Sequence, residues 1–209
     1  MIRPARPAAA AALILALGTI GFGLSGCITL FPKEKPAQLY RFDATVPPAT
    51  AAPGPRFAVR GAGLEFDEAA SGDRILTVTG DEAAYIEGAR WASPASELFQ
   101  EAVEHGFNTA DGRAHLVGPG PAKADYRLNL QVTRFETRYA SAGATPTVVV
   151  HVHATLERQS DLVVVAEQEF DHEAPAADNR VGDIVSAYDA ATGQTVNDLV
   201  NWVDASAHG

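Results

Sequence analysis

Two histidines one residue apart, His151 and His153 in the run HVH, are the first residues of this 209-residue chain whose spacing suggests chemistry. Alternate residues of a strand point to the same side, so both imidazoles can address one metal ion. A zinc site needs three or four ligands, and the sequence nominates none on a neighbouring element, so two polar residues on the wet side of a strand is the plainer reading. The run EQEFDHE (residues 167–173) is a second candidate, with Glu167, Glu169 and Asp171 alternating with Gln168 and Phe170. A general acid–base pair needs one carboxylate shielded from water, whereas alternating acids mark a solvated face. The run also lacks the glycine-hinged spacing of a calcium loop. GAGLEF (residues 61–66) starts as a dinucleotide-binding loop does, but it has no third glycine and no helix after it, so it reads as a turn. No G-x-S-x-G, H-E-x-x-H, C-x-x-C or P-loop pattern occurs. The sequence therefore assigns no catalytic, cofactor-binding or metal-ligating residue, and no enzyme activity.

Cys27 is the one residue with chemistry written around it. It is the only cysteine in the chain and closes the run LSGC, Leu24, Ser25, Gly26, Cys27. Upstream lie Arg3 and Arg6, then an uncharged apolar run from Ala8 to Leu24. That is the order of n-region, h-region and cleavage site of a secretory signal. A plain signal ends in an A-x-A-like site; LSGC looks instead like a bacterial lipobox. In that chemistry a diacylglyceryl group alkylates the thiol, a peptidase cuts before Cys27, and the new amine is acylated, with palmitate the expected kind of chain. Small Ser25 and Gly26 give the peptidase access to the backbone, and a thiolate is the best nucleophile available. An uncleaved membrane helix is the competing reading, since about 20 apolar residues span a bilayer core. Gly18, Gly21, Gly23 and Gly26 in its second half argue against a stable span. Each buried methylene contributes about 0.8 kcal/mol, so one acyl chain holds marginally and several hold stably. A triacylated Cys27 is then a permanent anchor. Residue 28 is Ile, not the Asp that retains such proteins in the inner membrane, which favours the periplasmic face of the outer membrane.

The expected organisation is a signal at residues 1–26, a tether at 27–38 and one domain at 39–205. Removing residues 1–26 takes two of 16 basic residues and none of 26 acids, leaving 14 against 26 and a net charge of −12. Such a chain suits neither nucleic acid nor electrostatic docking on anionic lipid, so the membrane contact is left to the lipid anchor. With Cys27 lipidated, no thiol remains for a disulfide. The tether carries Pro32, Pro36 and alternating charges, and reaches roughly 35–40 Å when extended.

Strand candidates are LYRF (39–42), RFAVRG (56–61), RILTVTG (74–80, closed by Gly80-Asp81), EAAYIEGARWA (82–92) and AHLV (114–117). The Pro/Ala-rich loop 43–55 cannot pair as a central strand. The clearest pattern is DYRLNLQVTRFETRY (125–139), where Tyr126, Leu128, Leu130 and Val132 alternate with polar residues before the parity slips at Phe135, which places a bulge near Thr133-Arg134. PTVVVHVHATLERQ and, after the turn at Ser160-Asp161, LVVVAEQEFDHE complete a three-stranded meander. Ser93-Pro94 opens a helix as N-cap and first helical residue, with Leu98, Ala102 and His105 on one stripe, Phe99 and Val103 beside it, and Gly106 as its end. From Asn179 the sequence runs at helical spacing, with Ile184, Tyr188, Ala191, Thr195, Leu199, Trp202 and Val203 as the apolar stripe and Gly193 costing about 1 kcal/mol relative to Ala. Trp91 reads as a large anchor where strand meets helix. The expectation is an α+β fold, a mostly antiparallel (mixed) sheet with two main helices packed on it.

The lipobox, Tyr40 in the first strand, the step Arg90-Trp91 followed by Ser93-Pro94 and an amphipathic helix, the strand DYRLNLQVTRFE and the helix VSAYDAATGQTVNDLVNWV together resemble the ABC-type transport auxiliary lipoprotein family, which includes the PqiC-like lipoproteins. The resemblance covers essentially the whole chain after residue 26. The loop 43–55 and Gly193 depart from the pattern. The resemblance implies a non-enzymatic accessory subunit, without cofactors, that accompanies an ABC ATPase, a permease and an MCE-domain (MlaD-like) substrate-binding protein in moving lipids or other hydrophobic molecules between membranes. It allows a homo-oligomer, since one small domain cannot enclose such a path. The alternatives are a structural or assembly lipoprotein of another envelope machine, and a periplasmic enzyme built on His151, His153 and an acid.

Overall fold

The computed structural model describes residues 36–44 and 54–207. Expectations that fall on residues 1–35, the signal and Cys27 among them, lie outside the described residues, as does most of the Pro/Ala-rich loop. Among the described residues eight strands form one mixed sheet and two helices pack on it, the α+β arrangement expected. The strands are β1 (Gln38–Tyr40), β2 (Phe57–Phe66), β3 (Arg74–Thr79), β4 (Glu82–Trp91), β5 (Ala114–Val117), β6 (Tyr126–Tyr139), β7 (Thr147–Arg158) and β8 (Val164–Pro175). The helices are α1 (Ala95–Thr109) and α2 (Val181–Ser206).

β6 is the trunk of the sheet. β7 runs antiparallel along one side of it and β8 antiparallel along β7, which is the expected meander. The other side of β6 is shared. Residues 126–132 pair in parallel with β2, and residues 137–139 pair in parallel with β3. The register of β6 shifts between Val132 and Arg134, at the level where one neighbour gives way to the other. That is the bulge announced by the parity slip, and its added twist lets one strand serve two diverging partners. β5 extends the β2 branch in parallel. The β3 branch continues through a two-residue hairpin, with positive φ at Gly80, to β4, and β1 then adds in parallel to β4. Strand alternation in the sequence announced the antiparallel meander, but parallel neighbours are set by crossovers that a local pattern does not encode.

Several local readings are corrected. GAGLEF is the second half of β2, not a turn. β1 ends at Tyr40, and Phe42 leaves the strand to bury itself edge-on against Trp91 at 5.2 Å. Pro94 is the N-cap of α1, not its first residue, and the amides of Ala95 and Ser96 donate to Gly72 and Ser71 carbonyls instead of to a capping side chain. Packing carries α1 past Gly106 to Thr109, because Gly106 and Phe107 are buried and extend the apolar stripe. His105 is exposed.

α2 covers the meander. Val148, Val150, Val152, Ala154 and Leu156 of β7 face it fully buried, with Ile184, Tyr188, Ala191, Thr195 and Leu199 opposite. Trp202 is only half-buried, edge-on to Phe170 at 5.9 Å. Where the sheet forks, an aromatic cluster fills the space: Trp91 lies 5.1 Å from Tyr188 and Phe135 lies 4.7 Å from it. Trp91 is thus the strand–helix anchor its position implied. Burial raises the pKa of the Tyr188 hydroxyl above its ordinary value, and Thr137 Oγ1 donates to it at 3.2 Å.

Two aspartates of α2 hold neighbouring segments. Asp189 Oδ1 accepts the amides of Asp43 and Ala44 at 2.9 and 2.6 Å. Asp204, 4% exposed, accepts the amides of Arg113 and Ala114 at 2.8 and 2.7 Å, and the Arg113 guanidinium donates to the Asp204 carbonyl. An acid in the last turn of a helix opposes the helix dipole. Its two amide partners explain why it is there.

Candidate functional site

The solvent side of the meander carries the residues first singled out. His151 and His153 sit on the same side of β7, as alternation requires, and the sheet supplies the partner the sequence did not nominate. Glu169 pairs directly with His153 across β7–β8. Its Oε1 lies 2.9 Å from His153 Nδ1 and its Oε2 3.2 Å from His151 Nε2. Thr133, at the β6 bulge, completes the row with Oγ1 2.6 Å from His151 Nδ1. The carboxylate lies between the imidazoles, each oxygen serving one ring, so the donors do not converge on a common point. Among the described residues no group of three His, Cys, Asp or Glu is arranged to hold a metal ion. The row is a hydrogen-bonded strip at the surface, its two imidazoles half-buried and Thr133 and Glu169 exposed, and is worth little to stability. Glu167, Asp171 and Glu173 are exposed beside it, and Phe170 faces the core, as the alternation of EQEFDHE indicated. His172 also faces inward, with Nε2 3.1 Å from Asp198 Oδ2 of α2.

The helix side holds a different feature. Between α1 and the β2–β5 branch runs a groove of about 690 Å³. Leu64, Leu116, Leu128 and Leu130 form its floor and Val103 of α1 its inner wall. Gln100, Glu104 and Asn108 line the α1 rim, and Gly118–Gly120 form the opposite lip. Arg60 braces that lip, its guanidinium donating to Gly120 O at 3.1 Å and to Ala122 O.

The groove follows from the side chains β2 lacks. Register with β6 places Val59 beside Tyr126, Gly61 beside Leu128 and Leu64 beside Leu130. All of those β6 residues face the helices, so Gly61 occupies a helix-facing position. A Cβ at Gly61 would meet nothing within 4 Å, and its φ is not in the left-handed region. The glycine is therefore not needed by the backbone, and its effect is to leave space. A register shift between Gly61 and Gly63 then re-aims the strand so that Leu64 and Phe66 return to the core side. Reading GAGLEF as a turn missed this. The signal was present: Phe57, Val59, then a parity slip to Leu64 and Phe66, the same slip that marked the bulge in β6.

Two further apolar features are exposed. Leu162, Val163 and Val164 form the tip of the β7–β8 hairpin, with Leu162 at φ 58°, and Leu39 stands out of β1. Asp161 closes that hairpin by accepting from Val163 N and Arg158 Nη1, which lowers its pKa. No described helix is long and apolar enough to cross a membrane.

Among the described residues, a mixed sheet with a forked trunk strand and two helices packed on it makes an α+β domain with an apolar groove on its helix side. The chain belongs to the family described as the ABC-type transport auxiliary lipoprotein component, which it matches over residues 40–200. Its fold is similar to that of protein XCC0632 from Xanthomonas campestris, of family DUF330, at 25% identity and TM-score 0.73, covering 81% of this chain and 96% of that one. An uncharacterized protein shares the fold at 17% identity and TM-score 0.60, over 81% of this chain and 99% of its own. The hypothetical protein CT253 from Chlamydia trachomatis does so at 11% identity and TM-score 0.50, over 72% and 97%. No protein of curated function matches the chain.

Proposed function

We propose that this protein is the lipid-anchored accessory subunit of an ABC-type system that moves lipids or other hydrophobic molecules between membranes, and that it acts without catalysing a reaction. The family match over residues 40–200 carries the reading, because it spans nearly all of the folded domain. The sequence ahead of that domain supports it. Cleavage after Leu24, Ser25 and Gly26 leaves Cys27 as the lipidated N-terminus, residues 27–38 as the tether and residues 39–205 as the working domain. Ile28 in place of Asp favours the outer membrane and its periplasmic face. The partners are an MCE-domain substrate-binding protein with its permease and ATPase, and a homo-oligomer suits a domain too small to bridge two membranes alone. His151, His153 and Glu169 form a hydrogen-bonded row, and His153 also lines a shallow open depression, so the accessory-subunit reading is preferred over a periplasmic enzyme on the strength of the family match.

The test is affinity recovery of the full-length lipidated protein from detergent-solubilised membranes, with Cys27→Ala as control and partners identified by mass. Recovery of an MCE-domain protein with permease and ATPase, lost in the control, is the expected result. Outer-membrane assembly factors alone would replace this reading by that of a structural or assembly lipoprotein.

A further inference from the structure

We infer that the groove between α1 and the β2–β5 branch is a binding site for a single aliphatic chain whose head group carries an ammonium, a lysophosphatidylethanolamine-type amphiphile. The inference rests on the transport reading for the source of the ligand, and on the geometry for the site.

Three observations carry it. The volume, about 690 Å³, falls within the range of roughly 300–1,000 Å³ usual for small-ligand sites and far exceeds a packing fault the size of a methyl group. Its floor and inner wall are aliphatic, Leu64, Leu116, Leu128, Leu130 and Val103, with no aromatic ring to stack on a flat ligand. Such a surface suits a flexible hydrocarbon chain, which gains by leaving water. The space also exists because a helix-facing strand position holds Gly61, whose backbone does not require glycine. A larger residue would close the floor.

The head group follows from charge. The α1 rim carries Gln100, Glu104 and Asn108, an acid and two amides with no base. Gln100 Nε2 donates to Glu104 Oε1 at 3.0 Å, which fixes the carboxylate at the rim. Arg60, the one base lining the groove, is tied to the Gly120 and Ala122 carbonyls on the opposite lip. An ammonium beside Glu104 forms a charge-assisted hydrogen bond, whereas a free fatty-acid carboxylate or a glycerol-linked phosphate without an amine meets a like charge there.

The experiment uses the full-length lipidated protein in phosphatidylcholine vesicles containing a trace of diazirine-bearing lysophosphatidylethanolamine. Adducts are located by peptide mass spectrometry after irradiation. The expected result is labelling of peptides holding Val103, Leu116 or Leu128, reduced at least tenfold by Gly61→Leu while the melting temperature stays at or above that of the parent. Leu116→Trp fills the groove from β5 and serves as the second variant should Gly61→Leu fail to fold. The matched lysophosphatidylglycerol probe should label several-fold less, and Glu104→Gln should erase that preference. Adducts confined to the tether, or unchanged by either filling variant, overturn the site, and equal labelling by both probes overturns the head-group assignment. Recovery of transporter partners is scored separately on the same membranes. Partners without groove labelling defeat this inference and leave the accessory-subunit reading standing; groove labelling without partners does the reverse.

Discussion

On the β7 side of the sheet, five consecutive helix-facing positions carry aliphatic side chains, and α2 lies on them with nothing exposed. On the β2 side the corresponding row runs Phe57, Val59, Gly61 and Leu64, and α1 leaves a groove above it. Both rows belong to one sheet and both meet amphipathic helices, so the difference is not one of polarity. It comes from one missing side chain and the register shift that follows it. Apolar patterning decides which face of a strand turns inward. Side-chain volume decides whether the helix above can close on it.

The sharpest break in this comparison is truncation on either side. Leu156→Ala, beneath α2, should destabilise by about 3 kcal/mol, because a buried residue there leaves a cavity. Leu116→Ala, at the groove, should cost about 1 kcal/mol, since its half-exposed side chain already borders open space. Urea unfolding of both variants measures the gap, and equal losses would mean that the groove is closed in solution.

Next in size is the clamp joining the end of α2 to β5. Asp204→Ala leaves the amides of Arg113 and Ala114 without their acceptor and should cost about 2–3 kcal/mol. Hydrogen exchange should show β5 losing protection while the meander keeps it. Uniform loss across the sheet would show that the two sides are not independently held.

The packed side also carries a titratable group in its core. The folded pKa of Tyr188 lies above the ordinary 10.0 because burial disfavours the phenolate. A pKa raised on folding means that the associated stability is intact below pH 10 and falls as pH rises beyond it. Tyr188→Phe should cost about 1 kcal/mol at pH 8 through the lost hydroxyl partner of Thr137, yet lose less than the parent as pH rises past about 10, where the linkage loss begins. Parallel alkaline losses in the two proteins would place the titration elsewhere.

The smallest effect is on the groove floor. Gly61→Ala adds a methyl group into open space on an ordinary strand backbone and should stabilise by about 0.5 kcal/mol, read as a small rise in melting temperature. Destabilisation would show that the groove is tighter than this geometry.

Much of the fold was legible because its strongest elements are regular. Alternation in residues 126–132 and 148–156 depends only on which side chains meet water, so the meander, the bulge near Thr133 and the covering stripe of α2 could be read residue by residue. Helix ends were less legible: α1 starts at Ala95 and runs past Gly106, because loop carbonyls and a buried Phe107, both supplied from elsewhere in the fold, set its limits. The candidate site was least legible. Gly61 lies in a run whose glycines imitate a turn, and its meaning depends on being beside Leu128, 67 positions later, beneath a helix that follows from another part of the chain.

By itself the sequence determined the periodicities and the α+β class, since each is a matter of residue type at short range. The tertiary structure alone decided that β6 serves two parallel neighbours, that Glu169 lies between His151 and His153, that Asp204 holds β5, and that an absent side chain at Gly61 opens a groove. Those depend on register and on the distance between elements, which are fixed only when distant segments pack against one another.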